Sequence, residues 1–299
     1  MEIIGKFESG DNKPFANVSG HERLSIGFLQ WNWDTRSIFN DFFPAVSAGD
    51  IALAAPEIRE DLLQIKNYSN DQGNATKKAA AENVLNDWTT EKPGDVLSHS
   101  VRTTVYSKLS SWLDSDPIRK RQLQIIDGSL KLAYAYSTKW RDAQSGGGDT
   151  QPVDARLLAS FFDLIVFNGG RQGIWYPQVK SFRATYKTNK EIINVVTDWL
   201  KACDKASFPH FKHSRMYNRQ DGVKSAVYWS GLISEADDAF DSYHIDLFIF
   251  GFLRALQSNG DNKPNGFKGI YQADVMTRRG VIALGSGYIR GTFMRPFAP

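Results

Sequence analysis

Apolar residues recur at helical spacing over most of the chain. Leu, Ile, Val and Phe are separated by three or four positions with polar residues between them, a pattern that predicts amphipathic helices. The predicted helices span residues 48–67, 74–88, 96–113, 117–140, 152–168, 190–201, 236–256 and 271–284. A run of Ser and Gly interrupts this pattern and predicts a flexible loop at about residues 143–151.

One segment near the N-terminus has a different pattern. Residues 15–33 alternate apolar and polar positions and are rich in Asn, Ser and Gly, which is typical of short strands joined by turns. The sequence therefore predicts a small β-ribbon in an otherwise helical protein. The expected fold class is α+β, mainly α.

Composition and charge narrow the range of functions. With 41% hydrophobic and 23% charged residues among 299, the chain has the composition of a folded protein. Its net charge of +3 is too small to indicate a nucleic-acid-binding protein, in which a dense patch of Lys and Arg is expected. A mild positive charge favours a neutral or anionic polymer over a cationic one.

The sequence predicts no cofactor, no metal and no membrane span. His210 and His213 have the spacing of metal ligands, but no Cys or carboxylate cluster accompanies them. The most apolar stretch, 245–256, contains Asp246 and Arg254 and is too short to cross a bilayer. The first residues lack the basic segment and long apolar stretch of a signal peptide, so we expect synthesis in the cytoplasm.

Glu8 is a candidate catalytic acid. It precedes Ser9 and Gly10 and lies shortly before the predicted ribbon. A carboxyl group that a ribbon shields from water has a raised pKa, which a glycosidase needs in the group that protonates the leaving oxygen. Ser25 in the ribbon would hold the attacking water, and Gly27 would let a sugar approach the backbone. The structural alternative for Glu8 is a surface charge at a helix end.

Several short segments resemble the lysozyme-like superfamily, in particular phage-type lysozymes and the chitosanase branch. They include ESG at 8–10 and LSIGFLQ at 24–30, which resemble the end of the first helix and the ribbon of that superfamily. The segment ASFFDLIVFNGG at 159–170 is similar to its buried central helix. The segments QADVMTRR at 272–279 and ALGSG at 283–287 are similar to the C-terminal portion of bacterial and phage wall-binding proteins of the group.

The resemblance implies one lysozyme-like domain over residues 1–299, with two lobes and a cleft between them. The N-terminal lobe, about residues 1–47, would carry the catalytic helix end and the ribbon. Residues 48–299 would form the helical remainder.

By the same resemblance, Glu8 is the general acid and Ser25 is the hydroxyl that positions water. Many relatives carry an Asp five or six positions before this Ser or Thr, where this chain has Ser19 and Gly20. The nearest acid in the ribbon is Glu22. Two interpretations of Glu22 stay open: the second catalytic residue, or a solvated residue at the tip of the hairpin.

Further residues are assigned to catalysis or substrate binding from their residue type and their position in the chain. Asp34 and Asp41 are additional candidate bases. Four residues are assigned to substrate binding: Gln30, Trp31, Asn32 and Asn168. Trp31 is equally a candidate for the core.

The implied function is hydrolysis of β-1,4 glycosidic bonds in peptidoglycan, as in a lysozyme or muramidase. The partners would be the peptidoglycan glycan strands and the machinery that carries the protein to the wall. A phage holin or a secretion apparatus would deliver it to the periplasm, as an endolysin or an injected antibacterial effector, and an effector would have a cognate immunity protein. Two alternatives stay open: a chitosanase, and a non-catalytic cell-wall-binding module of the same fold.

Overall fold

The computed structural model describes residues 13–20, 23–92, 95–146, 153–167, 173–212, 218–236, 239–257, 269–295 and 297. Within these ranges helices dominate and the strands form three small antiparallel sheets, so the expected α+β, mainly α class is confirmed. The chain divides into two compact units, Met1–Gly128 and Ser129–Pro299. None of the helices in these ranges is long and apolar enough to cross a membrane. The lysozyme-like arrangement, with one domain and a lobe boundary near residue 47, stays a prediction.

The first unit contains a three-stranded antiparallel sheet in the order β1-β2-β3, which lies inside the predicted ribbon segment. Its strands are β1 (Val18–Ser19), β2 (Ser25–Ile26) and β3 (Trp31–Asn32). The central strand, β2, places Ile26 opposite both Val18 and Trp31. All three side chains belong to the buried core cluster, so this face of the sheet covers the core of the unit.

Helical turns, helices and a hairpin complete the first unit. In chain order they are turns at Ile38–Phe42 (π-helical) and Phe43–Ala45, α1 (Ala48–Ala52), α2 (Pro56–Asn70), α3 (Ala75–Trp88), β4 (Thr89–Lys92), β5 (Asp95–Val101), α4 (Thr103–Leu113) and the first half of α5 (Asp116–Ser145). A short helical turn at Pro14–Ala16 precedes the sheet. The rest of α5 belongs to the second unit.

The predicted helix at 48–67 is divided in two by Pro56. Proline has no backbone N–H and disfavours a helical residue before it, so it begins a new helix, α2, instead of continuing α1. The start of α1 is a capping box. The Ser47 hydroxyl accepts a hydrogen bond from the Asp50 N–H at 3.1 Å, and the Asp50 carboxylate accepts one from the Ser47 N–H at 2.8 Å.

The predicted helix at 96–113 is wrong in its first half, which forms strand β5. Pairing with β4 supplies the backbone hydrogen bonds of this segment, a partner that helical spacing of apolar residues does not reveal. The strand also reaches the end of β1, where the His99 N–H donates to the Gly20 carbonyl at 2.7 Å. A Cβ at Gly20 would lie 1.9 Å from the His99 carbonyl oxygen, so only glycine permits this contact.

Aromatic rings make up much of the core of the first unit. Trp31 packs against Phe42 with ring centroids 5.2 Å apart, and Trp33 packs edge-on against Phe39 at 4.7 Å. All four rings are buried. These rings therefore stabilise the fold and present no exposed face to a ligand.

In the described part of the second unit, six helices follow α5 and precede a short hairpin. The elements are α6 (Ala155–Phe167), α7 (Tyr176–Arg183), α8 (Asn189–Phe211), α9 (Asp221–Glu235), α10 (Ser242–Leu256), α11 (Ile270–Leu284), β6 (Gly287–Ile289) and β7 (Thr292–Met294). The sequence prediction missed α7 and α9. The predicted helix at 236–256 begins later, at Ser242, because the Asp241 carboxylate accepts a hydrogen bond from the Tyr243 N–H at 2.7 Å and caps the helix.

A buried ionic cluster joins α6 to α11. The Asp163 side chain is fully buried, with Arg278 Nε at 2.7 Å and Arg279 Nε at 3.4 Å from its carboxylate oxygens. Burial lowers the pKa of the Arg279 guanidinium to about 10, although the Asp163 charge acts in the opposite direction. Because a buried charge without compensation is costly, Asp163 allows these two arginines to lie in the interior.

Gln122 on α5 joins three segments of the first unit through one buried amide. Its Oε1 accepts a hydrogen bond from the Phe28 N–H at 2.8 Å. Its Nε2 donates to the carbonyl oxygens of Leu113 at 3.0 Å and Phe15 at 3.2 Å. Because backbone groups that water does not reach need a partner, this amide fixes the turn after β2 against α4 and α5.

Replacing Gln122 by Leu should lower the free energy of unfolding by about 3 kcal/mol or more, because three backbone groups lose their partner and each such loss costs about 1–3 kcal/mol. Urea unfolding followed by tryptophan fluorescence measures the change. Gln124→Leu, an exposed position on the same helix, is the control and should shift the unfolding free energy by less than about 0.5 kcal/mol. Equal losses in the two variants would contradict the role assigned to the amide.

Candidate functional site

Ser25 lies in the central strand of the ribbon, opposite Ser19 and Asn32 in the two flanking strands. Its side chain points away from the face that carries Ile26, and it is still buried, at 1% exposure. The hydroxyl therefore occupies a desolvated position, in which a hydrogen bond is stronger than in water. Its role in positioning a water molecule stays a prediction.

Gly27 begins the turn that leads from β2 to β3. Its φ of +73° lies in the left-handed region that favours glycine, and its N–H donates to the Asn17 carbonyl at 2.7 Å. A Cβ at this position would lie 2.7 Å from Gln122 Oε1 and 2.8 Å from the Trp31 ring. Protein atoms thus occupy the space beside the Gly27 Cα, where the sequence analysis expected a sugar.

The two polar candidates of the ribbon, Gln30 and Asn32, are half-buried and form local hydrogen bonds. Gln30 Nε2 donates to the Gly27 carbonyl at 2.9 Å, and its Oε1 accepts from the Ser19 hydroxyl at 3.1 Å. Asn32 Oδ1 accepts from the Thr35 N–H at 2.8 Å and from the Thr35 hydroxyl at 2.7 Å. Both side chains stabilise turns of the ribbon, and their contact with substrate stays a prediction.

The structure favours the core interpretation of Trp31. The ring is 3% exposed, lies below Gly27 and packs against Phe42. A buried ring of this kind has no free face on which a sugar could stack. The role of Trp31 in substrate binding has no support from its position.

Three of the candidate site residues, Glu8, Glu22 and Asn168, lie outside the described residues. The two additional candidate bases, Asp34 and Asp41, lie within the described residues. Asp34 lies 3.8 Å from Arg23 across an ion pair. Partial burial raises the pKa of Asp41, which makes its carboxylate a stronger base than that of an ordinary aspartate.

A cleft in the second unit was missed by the sequence analysis. It lies between the end of α5, helix α7 and the start of α10, and encloses about 490 Å³; we call it the α5–α7–α10 cleft. Its lining includes one acid, three basic side chains and several neutral polar groups. The principal residues are Arg141, Gln144, Tyr176, Lys180, Arg183 and Asp246.

Asp246 lies at the buried floor of this cleft. Its Oδ2 accepts a hydrogen bond from Gln144 Nε2 at 2.6 Å and lies 3.4 Å from the Tyr176 hydroxyl, while Arg183 Nη1 lies 3.2 Å from its Oδ1. Burial raises the pKa of Asp246, although the Arg183 charge and the hydrogen bonds from Gln144 and Tyr176 act to lower it. An acid within an apolar helix is a feature that the sequence shows. The residues that contact Asp246 are distant in sequence, so the sequence does not show the cleft.

A second cavity carries three acids but is much smaller. Asp204 on α8, Asp221 on α9 and Asp274 on α11 line a space of about 30 Å³, which accommodates about two water molecules. Burial raises the pKa of Asp274, and the neighbouring Asp221 charge acts in the same direction against the Arg278 and Arg219 charges. A sugar or nucleotide does not fit here. In the described residues, no group of three or more His, Cys, Asp or Glu side chains is arranged to hold a metal ion.

Comparison of the chain with protein-family models, with curated proteins and with solved structures gives no match. The resemblance to the lysozyme-like superfamily therefore stays a prediction that depends on the sequence segments. The functions proposed for the ribbon and for the α5–α7–α10 cleft therefore depend on the residues of each region.

The Asp246 carboxyl should titrate above about 3.9, the ordinary value for aspartate, in carbon-13 NMR spectra. A raised pKa means that the folded protein binds this proton more tightly than the unfolded chain does. The contribution of Asp246 to the free energy of unfolding should therefore fall as pH rises from about 3.9 through the folded-state pKa.

Asp246→Asn tests the sign of this pH dependence. The unfolding free energy of the wild type minus that of the variant should decrease with rising pH over that window. Asp198→Asn, an exposed position on α8, is the control. A titration midpoint of Asp246 at or below the ordinary value would contradict the burial argument.

Proposed function

We propose that the chain is a peptidoglycan-cleaving glycoside hydrolase, a muramidase that acts on β-1,4 bonds. The observation that carries the proposal is the three-stranded ribbon at residues 18–32, which has Ser25 in its central strand. This ribbon follows the Glu8 segment in the chain, in the order that the resemblance to lysozyme-like proteins implies.

In the proposed mechanism, Glu8 donates its proton to the glycosidic oxygen as the bond to the anomeric carbon breaks. A water molecule held by Ser25 attacks the anomeric carbon from the opposite face, and Glu22 accepts the proton of that water. The configuration at the anomeric carbon is inverted. Exchange with solvent returns a proton to Glu8 and removes one from Glu22, which completes the cycle.

The charge of the chain supports peptidoglycan over chitosan as the polymer. Peptidoglycan carries carboxylates, whereas chitosan is a cationic polyglucosamine, and the chain has a net charge of +3. The proposed setting is a phage endolysin or an injected antibacterial effector, which acts on the wall after delivery. A chitosanase is the less favoured enzyme.

One observation favours a second candidate, a non-catalytic cell-wall-binding module. Many lysozyme-like proteins carry an acid at the place that corresponds to positions 19 and 20, but Gly20 cannot be replaced without a clash with His99. The Ser19 hydroxyl is bonded to Gln30. The packing of this ribbon therefore excludes an Asp at position 20, and catalysis by inversion needs Glu22, or one of the further candidates Asp34 and Asp41, as the second acid.

Release of reducing ends from purified peptidoglycan tests the proposed function. The wild type should cleave peptidoglycan faster than chitosan. Glu8→Gln should reduce the rate by roughly 10²–10⁴-fold, because it removes the general acid. Glu60→Gln, at an exposed position on α2, is the matched control and should retain the wild-type rate.

The outcomes separate the three candidates. A Glu8→Gln protein with full activity would refute the assignment of the acid. Faster cleavage of chitosan would favour the chitosanase. If neither protein releases reducing ends while both sediment with the wall, the chain is a binding module.

A further inference from the structure

The α5–α7–α10 cleft has the dimensions of a small-ligand site. Its volume of about 490 Å³ lies within the range of about 300–1,000 Å³ that is usual for such sites. It is built on three helices and not on loops, so its side chains are held by a rigid scaffold. Tyr176, Lys180 and Arg183 share one face of α7, since they are spaced four and three residues apart.

The charge of the cleft favours an anionic group in the ligand. Three basic side chains, Arg141, Lys180 and Arg183, line it together with one carboxylate, Asp246. Arg183 is engaged by Asp246, with Nη1 3.2 Å from Oδ1. Lys180 is exposed and forms no ion pair with any residue in the described ranges. Its ammonium is therefore available to a carboxylate or phosphate.

The floor of the cleft also favours hydrogen-bond donors in the ligand. The Gln144 amide donates to Asp246 Oδ2, which leaves Gln144 Oε1 buried and without a hydrogen bond. Asp246 Oδ1 is buried as well, and Arg183 Nη1 beside it does not meet the geometry of a hydrogen bond. Buried acceptors are rarely left without donors. Hydroxyl or amide groups of a ligand would supply them, whereas a simple anion brings none.

The wall of the cleft is aromatic. Tyr176 and Tyr243 are half-buried in it. The Tyr176 ring is fixed from behind by Trp140, with centroids 5.3 Å apart and planes at 82°. Trp140 is itself buried and also packs edge-on against Trp175 at 5.6 Å. Rings held in this way offer an apolar surface to the C–H face of a sugar.

We propose that the α5–α7–α10 cleft binds an acidic sugar, with Lys180 bound to its carboxylate and with Asp246 and Gln144 accepting from its hydroxyl or amide groups. The choice of N-acetylmuramic acid among acidic sugars rests on the proposed function, since this is the acidic sugar of peptidoglycan. The cleft would then retain a glycan strand or a released fragment on the second unit.

Calorimetric titration of the full chain tests the proposal with two matched sugars. N-acetylmuramic acid differs from N-acetylglucosamine in the lactyl ether on O3, which replaces the 3-hydroxyl and carries the carboxylate, and neither sugar contains a bond that the proposed enzyme would cleave. N-acetylmuramic acid should bind about ten-fold more tightly or better, the ratio expected of one charge-assisted hydrogen bond. Raising the salt concentration should reduce this difference.

Two variants assign the contacts. Lys180→Gln should weaken the binding of N-acetylmuramic acid about ten-fold and leave that of N-acetylglucosamine within about two-fold. Asp246→Asn should weaken the binding of N-acetylglucosamine, because an amide oxygen is a weaker acceptor than a carboxylate for the hydroxyl and acetamide groups of the sugar. Lys187→Gln, an exposed position outside the cleft, should change neither. Thermal unfolding of each variant shows whether it is folded.

Other results would overturn the proposal. Equal binding of the two sugars would do so, as would unchanged binding by Lys180→Gln or inorganic phosphate that binds as tightly as N-acetylmuramic acid. Glucuronic acid that binds as tightly would support an acidic-sugar site and refute its assignment to the muramyl unit. Binding without peptidoglycan hydrolysis would count against the muramidase alone, and hydrolysis without binding would count against this cleft alone.

Discussion

The ribbon of the first unit depends on the buried amide of Gln122. Each of its strands contains two residues, so the sheet has few hydrogen bonds of its own and gains its order from packing. Gln122 supplies a partner to the Phe28 N–H and approaches Gly27 so closely that no Cβ fits between them. The left-handed backbone at Gly27, the burial of Trp31 below it and the register that places Ser25 in the central strand are parts of this one arrangement.

The second unit shows how two buried acids on helices differ in what they can do. Asp163 is enclosed and lies between Arg278 and Arg279, so its charge is used to compensate theirs within the core. Asp246 is equally polar but opens onto a cleft, and the Arg183 guanidinium beside it leaves one carboxylate oxygen without a well-formed hydrogen bond. Burial alone therefore does not identify a functional acid. Access from solvent together with incomplete pairing does so better.

Local patterns predicted the elements whose signals are local. The helix at α3 begins after Asn74, whose side chain caps it, and ends at Trp88, as the sequence analysis expected. Strand β5 was mistaken for a helix because its stability comes from pairing with β4 and contact with Gly20. A glutamine on a helix is usually exposed to solvent, so the sequence predicts no role for Gln122 in the core. Only the fold shows its hydrogen bond with the Phe28 N–H, 94 positions away. The sequence analysis did not predict the cleft around Asp246 for the same reason, since Gln144 lies 102 positions from Asp246.

The burial of Ser25 bears on whether the ribbon is catalytic. The Ser25 hydroxyl is 1% exposed and is surrounded by protein groups, so its position is fixed when the chain folds and not during the reaction. Gln30 and Asn32 form their hydrogen bonds within the ribbon, which makes it rigid but leaves it few groups for recognition. Rigidity of this kind serves a group that must position a reactant, whereas a binding surface needs free donors and acceptors. The rigidity of the ribbon therefore agrees better with the proposed hydrolase than with a binding module whose recognition surface is the ribbon itself.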